Sequence, residues 1–391
     1  MAGAWQDGLL PSAEGRPATL AQYRAFGQRV GHLQRTLGFA VPSHRVPWTA
    51  GHAALDAETF AAWLAREGLG DERLLAHLDY ACRDDYGAGL ASVSAWAGIH
   101  YFASRHGFHA PGDDAGEREG VLTWPEGNAW LTRRMAAPLV EGAGGRLRAG
   151  RVVQRIEAGR QGVTVDAWDA ATDTVERWQA INCIVALPVF VAARVVVNAP
   201  DFLREAAART RFSPWLVANL HIERALHDRP GAPPSWDNVL YGSAGLGYVD
   251  AMHQNLQRVP DATVLTYYSA LGDAPDARRQ LLERPWSHWR DAIVAELSVP
   301  HPDLREKLRR MDITRYGHAM AVPVPGTLRN GHFQVRNRLS PASAGHEQLQ
   351  EYERLTPSEG RLHFAHSDWS GYSVFEEAFT RGHAAAVSLR A

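Results

Sequence analysis

The stretch that decides the fold is Arg361-Leu-His-Phe-Ala-His-Ser-Asp-Trp-Ser-Gly-Tyr-Ser-Val-Phe-Glu-Glu-Ala-Phe-Thr-Arg-Gly-His-Ala-Ala-Ala386. It reads as an apolar strand from Arg361 to Ala365, a polar turn carrying Asp368 and Gly371, and a helix from about Phe375 to Leu389. Gly382 and the alanines at 384 to 386 would let that helix pack closely on a sheet. A helix start offers unpaired N–H groups and a partial positive charge, which suits an electron-rich ring edge. Asp368, just before it, can accept hydrogen bonds from a chain of sugar-like hydroxyls.

Two earlier patterns stand in order with this one. Arg151 to Ile156, Val163 to Trp168 and Val175 to Trp178 alternate in polarity and are split by Gly162 and by residues 169 to 173, which predicts an antiparallel meander. The meander runs into Ala180-Ile-Asn-Cys-Ile-Val-Ala-Leu-Pro188. The apolar run from Ile181 reads as a strand buried on both faces, and Pro188 is suited to opening a helix. Further upstream lies Leu122-Thr-Trp-Pro-Glu-Gly-Asn-Ala-Trp-Leu131. It leads into a helix over Asn128 to Val140, a terminating loop at Gly142 to Gly145, and Gly150-Arg-Val-Val-Gln-Arg-Ile156.

The remaining chain divides in texture. The first hundred residues read as mostly helix: Thr19 to Leu37, a helix holding Phe60, Trp63 and Leu64 with Asp56 as its cap, Leu74 to Cys82, and Val93 to Ser104. Pro214 to Ile222, Thr263 to Ala270 and Met311 to Tyr316 read as strands. Arg284 to Leu297 reads as a helix with Trp286, Trp289, Ile293 and Leu297 on one face. Val322-Pro-Val-Pro-Gly326 and Leu339 to Leu355 read as loops.

Composition narrows the class. The 391 residues are 45% hydrophobic and 21% charged, enough apolar content for a sizeable core. A formal net charge of -2 gives no global field to draw nucleic acid or an anionic membrane. Ile181 to Val197, the most apolar stretch, is broken by Asn182, Pro188 and Arg194 and is too short to span a bilayer. The first residues carry no basic-then-apolar export pattern, so a cytoplasmic location is expected, or a periplasmic one if a longer form carries an export signal. Cys82 and Cys183 form no CxxC and read as buried free thiols. A metal-dependent hydrolase built on His363, His366 and Asp368 is a third reading, but the two histidines, three apart at a strand end, would point to opposite faces and no HExxH accompanies them; no GxSxG elbow marks a serine hydrolase.

The three patterns together, in this order and near this spacing, resemble the flavin-containing amine oxidase family from roughly Val121 to the C-terminus. The resemblance implies an α/β protein with an α+β substrate part: a Rossmann-like FAD-binding domain interleaved with a mixed-sheet substrate domain and an N-terminal helical segment. On that basis residues 1–118 are the helical segment, 119–198 and 359–391 the FAD-binding part, and 199–358 the substrate-binding domain. The resemblance also implies site residues. The Val153 backbone would meet adenine, Pro188 would close the strand beside the cofactor, and Asp368 would bind the ribityl chain. Val374 and Phe375 would form the helix start under the flavin ring, with Tyr372 and Trp369 as walls. Tyr316 and His318 are candidates to line a substrate cavity and act in catalysis. The implied cofactor is FAD and the implied partner a small amine, oxidised by hydride transfer to the flavin. A homodimer is compatible with this; nucleic acid and a membrane span are not expected.

Two departures carry expectations of their own. The family opens with a strand, a GxGxxG turn and a helix. Here Gly142-Ala-Gly-Gly has the wrong spacing, and Gly242-Ser-Ala-Gly-Leu-Gly247 precedes no helical pattern. The sequence therefore reads as lacking the first βαβ unit. The chain alone is expected to expose an apolar edge and to hold FAD weakly or not at all, the alternative being a non-catalytic remnant. Many members also place a lysine near the flavin. The matching strand, Trp215 to Ile222, carries Asn219 near that position, and Lys307 is the only lysine in the chain, so a lysine mechanism is not expected.

Overall fold

The computed structural model describes residues 4–113, 126–140, 146–227, 229–233, 235–252, 261–328 and 355–389. The chain forms two units, each described by itself: Met1–Ala40, Thr49–Glu119 and Arg211–Gly326 make the first, and Val41–Trp48, Gly120–Thr210 and Thr327–Ala391 the second. The Gly142 to Gly145 loop, most of the Leu339 to Leu355 loop and Leu122 to Pro125 lie outside the described residues.

In the first unit, side chains close the helix starts. Thr59 accepts from the Ala62 N–H ahead of the helix Phe60–Arg66, Asp71 accepts from Arg73 and Leu74 ahead of Glu72–Tyr86, and Ser94 accepts from Ala97 ahead of Ala95–Ala103. Asp56 is not the cap expected from sequence. It is the buried last residue of the preceding helix, Ala50–Asp56, because Thr59 sits nearer the first turn with extended backbone. These helices and Pro17–Leu37 bury a cluster of aromatic rings. Phe26 stands edge-on to Phe108 at 4.8 Å and to Phe102 at 5.4 Å.

The same unit holds a five-stranded antiparallel sheet, in the order Asp237–Asn238, Gly247–Asp250, Thr263–Ala270, Arg211–Ile222, Leu308–Val322. The strand Arg211–Ile222 shows the reason: Leu216, Ala218, Leu220 and Ile222 alternate into a core with Ile293, Val294 and Leu297, leaving Trp215, Asn219 and His221 on the other face. Leu308–Val322 runs well beyond the expected Met311 to Tyr316. The helix Trp286–Leu297 forms, but its buried residues are Ile293, Val294 and Leu297, and Trp286 is exposed at its first position.

The second unit contains the expected meander, Arg151–Ala158, Val163–Asp169 and Thr174–Ala180, paired in sequence order. A second sheet pairs Cys183–Val185 in parallel with Leu362–Phe364, which also pairs antiparallel with Ser358–Glu359. The apolar run from Ile181 was expected to be buried on both faces. Only Val185 is buried, Cys183 is half-buried, and Ile181 is 70% exposed. The reason is positional: among the described residues this strand has a hydrogen-bonded neighbour on one side only. Helices Ala129–Val140, Val189–Val195, Asp201–Arg209 and Phe375–Ser388 complete the unit.

The tightest helix approach in the first unit is testable. A Cβ at Gly98 would run into the Phe60 ring, whereas one at Gly70 would meet nothing. Gly98→Ala should lower stability by about 1–3 kcal/mol in urea unfolding through overpacking, and Gly70→Ala should leave it within about 0.5 kcal/mol.

Candidate functional site

The two parallel strands of the second unit end side by side, with Val185 opposite Phe364. Beyond them the chain turns twice, through Pro188 into the helix Val189–Val195 and through residues 365–374 into the helix Phe375–Ser388. Pro188 has no capping side chain, so the first N–H of its helix needs an acceptor from elsewhere. Asp368 supplies it: Oδ2 accepts from the Val189 N–H at 3.0 Å. The other oxygen, Oδ1, lies 3.2 Å from His366 Nδ1, which also accepts from the Asp368 N–H at 3.1 Å. Asp368 is 1% exposed, so this carboxylate is an internal tie between the two turns.

The turn itself is a short 3-10 helix, Ser367–Ser370, closed by Gly371 at φ 81, a backbone shape that favours glycine. Trp369 is buried against Phe202 and Phe364. Tyr372 is fully buried and donates its hydroxyl to Glu377 Oε1 at 2.8 Å. The sequence reading missed Glu377 and Arg381, whose i, i+4 spacing looks like an ordinary solvated helix pair. Both are buried. Glu377 Oε2 accepts from Ser370 Oγ at 2.6 Å, and Oε1 also accepts from the Ser43 N–H at 2.5 Å. Arg381 donates through Nε to Ser370 Oγ at 2.8 Å and through a terminal nitrogen to the Leu355 carbonyl at 2.7 Å. Burial pushes the Glu377 carboxyl up, but these hydrogen bonds and the Arg381 charge outweigh it and hold the group below the usual range. Burial pulls Arg381 down to about 10.

Val374 precedes the last helix with no side-chain cap, and Phe375 is 53% exposed. Val153 stands half-buried on the meander beside a register shift between Val153 and Arg155. The structure thus brings Pro188 and Asp368 together beyond the parallel strands, ties Tyr372 to the last helix that Val374 and Phe375 open, and leaves Val153 on a different sheet of the same unit.

Tyr316 and His318 belong to the first unit. Between the pairs Ser213–Met320 and Trp215–Tyr316 the strand Leu308–Val322 holds extra residues, so it bulges at 317 to 319. Arg278 fills the irregularity, donating to the Gly317 carbonyl at 2.5 Å and to the Phe212 carbonyl at 3.1 Å. Both candidates flank Gly317 and are exposed, and His318 stands edge-on to Phe212 at 5.7 Å. Asn219 accepts from Thr266 Oγ1 at 2.9 Å. Lys307 is buried, paired with Asp303 at 2.7 Å and hydrogen-bonded to the Ala225 carbonyl, so the one lysine of the chain is spent on structure. A further group went unread in the sequence. Tyr268 donates to Asp237 at 2.9 Å, and Tyr80 and Asp84 lie close enough to feel the same charges. Burial, helped by the charges of Asp237 and Asp85, pushes the Asp84 carboxyl up to about 7.

The model of the flavin containing amine oxidoreductase family matches residues 43–390. The chain belongs to that family. Solved structures of amine oxidases share its fold. Cyclohexylamine oxidase from Brevibacterium oxydans IH-35A is 17% identical, with a TM-score of 0.61 over 96% of this chain and 76% of that one. Wild-type putrescine oxidase bound to putrescine is also 17% identical, with a TM-score of 0.62 over the same shares. No curated protein sequence matches. Family membership implies a flavin, and the second unit fits one in a definite respect. Parallel strands take ligands outside their carboxyl ends, and here the two turns that leave those ends are tied together by the Asp368 carboxylate. No GxGxxG turn occurs in the sequence to seat a pyrophosphate. Among the described residues no group of three or more His, Cys, Asp or Glu could hold a metal ion.

Glu377→Gln leaves Arg381 buried without its counter-charge and should cost about 3–5 kcal/mol at pH 7. The wild-type carboxyl is depressed in the folded state. Its contribution is therefore complete above the ordinary value of 4.5 and fades as pH falls through the lower folded value. Urea unfolding of both proteins from pH 7 to 3 should show their stability difference shrinking below about 4.5 on this linkage.

Proposed function

We propose that the protein is an FAD-dependent oxidoreductase that oxidises a small amine. The observation that carries this reading is the pair of turns beyond the parallel strands, tied by the buried Asp368, in a chain that belongs to a flavin-containing family. When bound, the flavin supplies the hydride acceptor. The chain's own residues bind and orient. Pro188, Val374 and Phe375, with Val153 on the meander, make up the cofactor side, and Asp368 holds its two turns together while serving as its acidic group. Tyr316 and His318, displayed by the bulge of the first unit, are the candidate catalytic residues. A lysine base is not part of the reading, because Lys307 is locked to Asp303.

An amine substrate is favoured over a neutral one by the first unit. Asp84 and Asp237 beside Tyr80 and Tyr268 put carboxylates and aromatic rings where a cation would be stabilised. With FAD added under anaerobic conditions, the flavin absorbance should bleach on addition of an amine and not on addition of the alcohol of the same shape. Bleaching by no amine removes the amine assignment. Tyr316→Phe and His318→Ala should each slow bleaching about tenfold, a barrier change of ~1.4 kcal/mol, without weakening FAD binding.

Asp84 adds a pH dependence. It is protonated below about 7 and ionised above, so amine KM should fall as pH rises through that value, and Asp84→Asn should abolish the fall. Its folded value is raised, so its ionisation works against folding as pH rises from the ordinary 3.8 towards about 7. Asp84→Asn should flatten that part of the stability profile.

A further inference from the structure

Residues 5–12 run as a strap along the first unit. The Trp5 N–H donates to the Pro230 carbonyl at 2.9 Å, and the Trp5 carbonyl accepts from the Ala232 N–H at 3.0 Å, a one-residue parallel bridge to Gly231. Gly231 has φ 112, and a Cβ there would run into the Trp5 carbonyl, so the approach depends on glycine. The Trp5 ring packs on the core beneath the sheet and lies 5.9 Å from His301. Further on, the Leu9 carbonyl accepts from the Tyr241 hydroxyl at 3.0 Å. The strap then reaches the helices. Tyr23 donates to the Pro11 carbonyl at 2.9 Å, and Arg73, in the first turn of the helix Glu72–Tyr86, donates to the Ser12 carbonyl at 2.6 Å.

These contacts bracket the acids of the amine reading. Trp5 and Leu9 hold the chain on either side of Asp237, at 230 to 232 and at 241, while Ser12 is held by the helix that carries Tyr80 and Asp84. The strand of Asp237 is two residues long and sits at the edge of its sheet, paired through Val249 and Tyr248, and so short a ladder fixes little by itself. Yet Asp237 accepts from the Tyr268 hydroxyl, Tyr80 bonds to Tyr268, and Asp84, one turn along the helix from Tyr80, feels the Asp237 charge. Asp85 and Arg105, the other charges beside Asp84, pair with each other at 3.1 Å within the helical layer. Asp237, by contrast, stands on the stretch that the strap holds.

We propose that residues 5–12 are a clasp, with Trp5 as its positioning residue, that keeps the Asp237 strand within reach of the helix of Tyr80 and Asp84. This rests on the reading of those acids as the partners of the amine and adds what keeps them in place. Trp5 contributes packing on the core and two backbone bonds, Tyr241 a single hydroxyl, so losing the indole should open the segment more than losing the hydroxyl.

The test follows amide hydrogen exchange over residues 235–241 and the titration of Asp84, read by NMR of labelled aspartate carboxyls with Asp84→Asn marking its signal. Trp5→Ala should speed exchange in that segment about tenfold through local opening. Gly231→Ala, which displaces the Trp5 carbonyl, should do the same, and Tyr241→Phe should act in the same direction by a smaller factor. Burial first, and then the Asp237 charge, push Asp84 up to about 7, so its titration should move to lower pH when the Asp237 strand swings away. Gly98→Ala is the control: it disturbs packing at Phe60 and should lower the melting temperature with neither effect. Unchanged exchange and titration in Trp5→Ala overturn the clasp, and so do equal changes in Gly98→Ala. Tyr241→Phe, which keeps its ring, decides the matter should Trp5→Ala not fold. If both effects appear while the amine KM of the flavin-loaded protein matches wild type, the clasp stands and the amine reading of the acids falls.

Discussion

The hydrogen bond from the Val189 N–H to Asp368 joins positions 179 residues apart, and the candidate cofactor region of the second unit is arranged by it. The parallel strands it follows are three residues long, so their ladder alone offers few bonds to fix the turns beyond them. A buried N–H left without an acceptor costs about 1–3 kcal/mol, and a buried carboxylate without donors costs more. Each group is therefore the solution to the other's burial. Once they meet, Pro188 and the 3-10 turn are held in one arrangement, and the following helix starts from a fixed point.

Behind that tie, Glu377 and Arg381 lock the turn to the helix. A buried ion pair gains little over well-packed apolar residues, because desolvation cancels much of the attraction. Its value lies in specificity. Ser370, Tyr372, Ser43 and the Leu355 carbonyl all direct donors or acceptors at the pair, and an alternative packing would strand several of them at once. The side of the same helix that escapes this network carries the exposed rings of Phe375 and Phe379. One helix thus serves as anchor on one face and as display on the other.

The first unit solves a different problem. Its central strand buries one face in a well-filled core, and that rigidity lets the neighbouring strand carry a bulge without losing register on either side of it. Arg278 satisfies the carbonyls that the bulge frees, and Tyr316 and His318 are displayed as a result. The single lysine, by contrast, is drawn into an ion pair with Asp303 and removed from chemistry.

The sequence by itself determined the meander, the strand–turn–helix at the C-terminus, the helix opened by Pro188 and the family, because each of these is written in local periodicity, turn residues and short motifs. It misplaced the cap at Asp56, where two acceptors stood three residues apart and only backbone geometry chose Thr59. It overestimated the burial of Ile181, since a run of apolar residues states a preference for burial but not whether a neighbouring strand is there to provide it. Only the tertiary structure decided that Asp368 caps a distant helix, that Glu377 and Arg381 are interior, that Tyr268 meets Asp237, and that residues 317 to 319 bulge. All four depend on groups far apart in the chain, and burial and charge are set by those neighbours rather than by the residue itself.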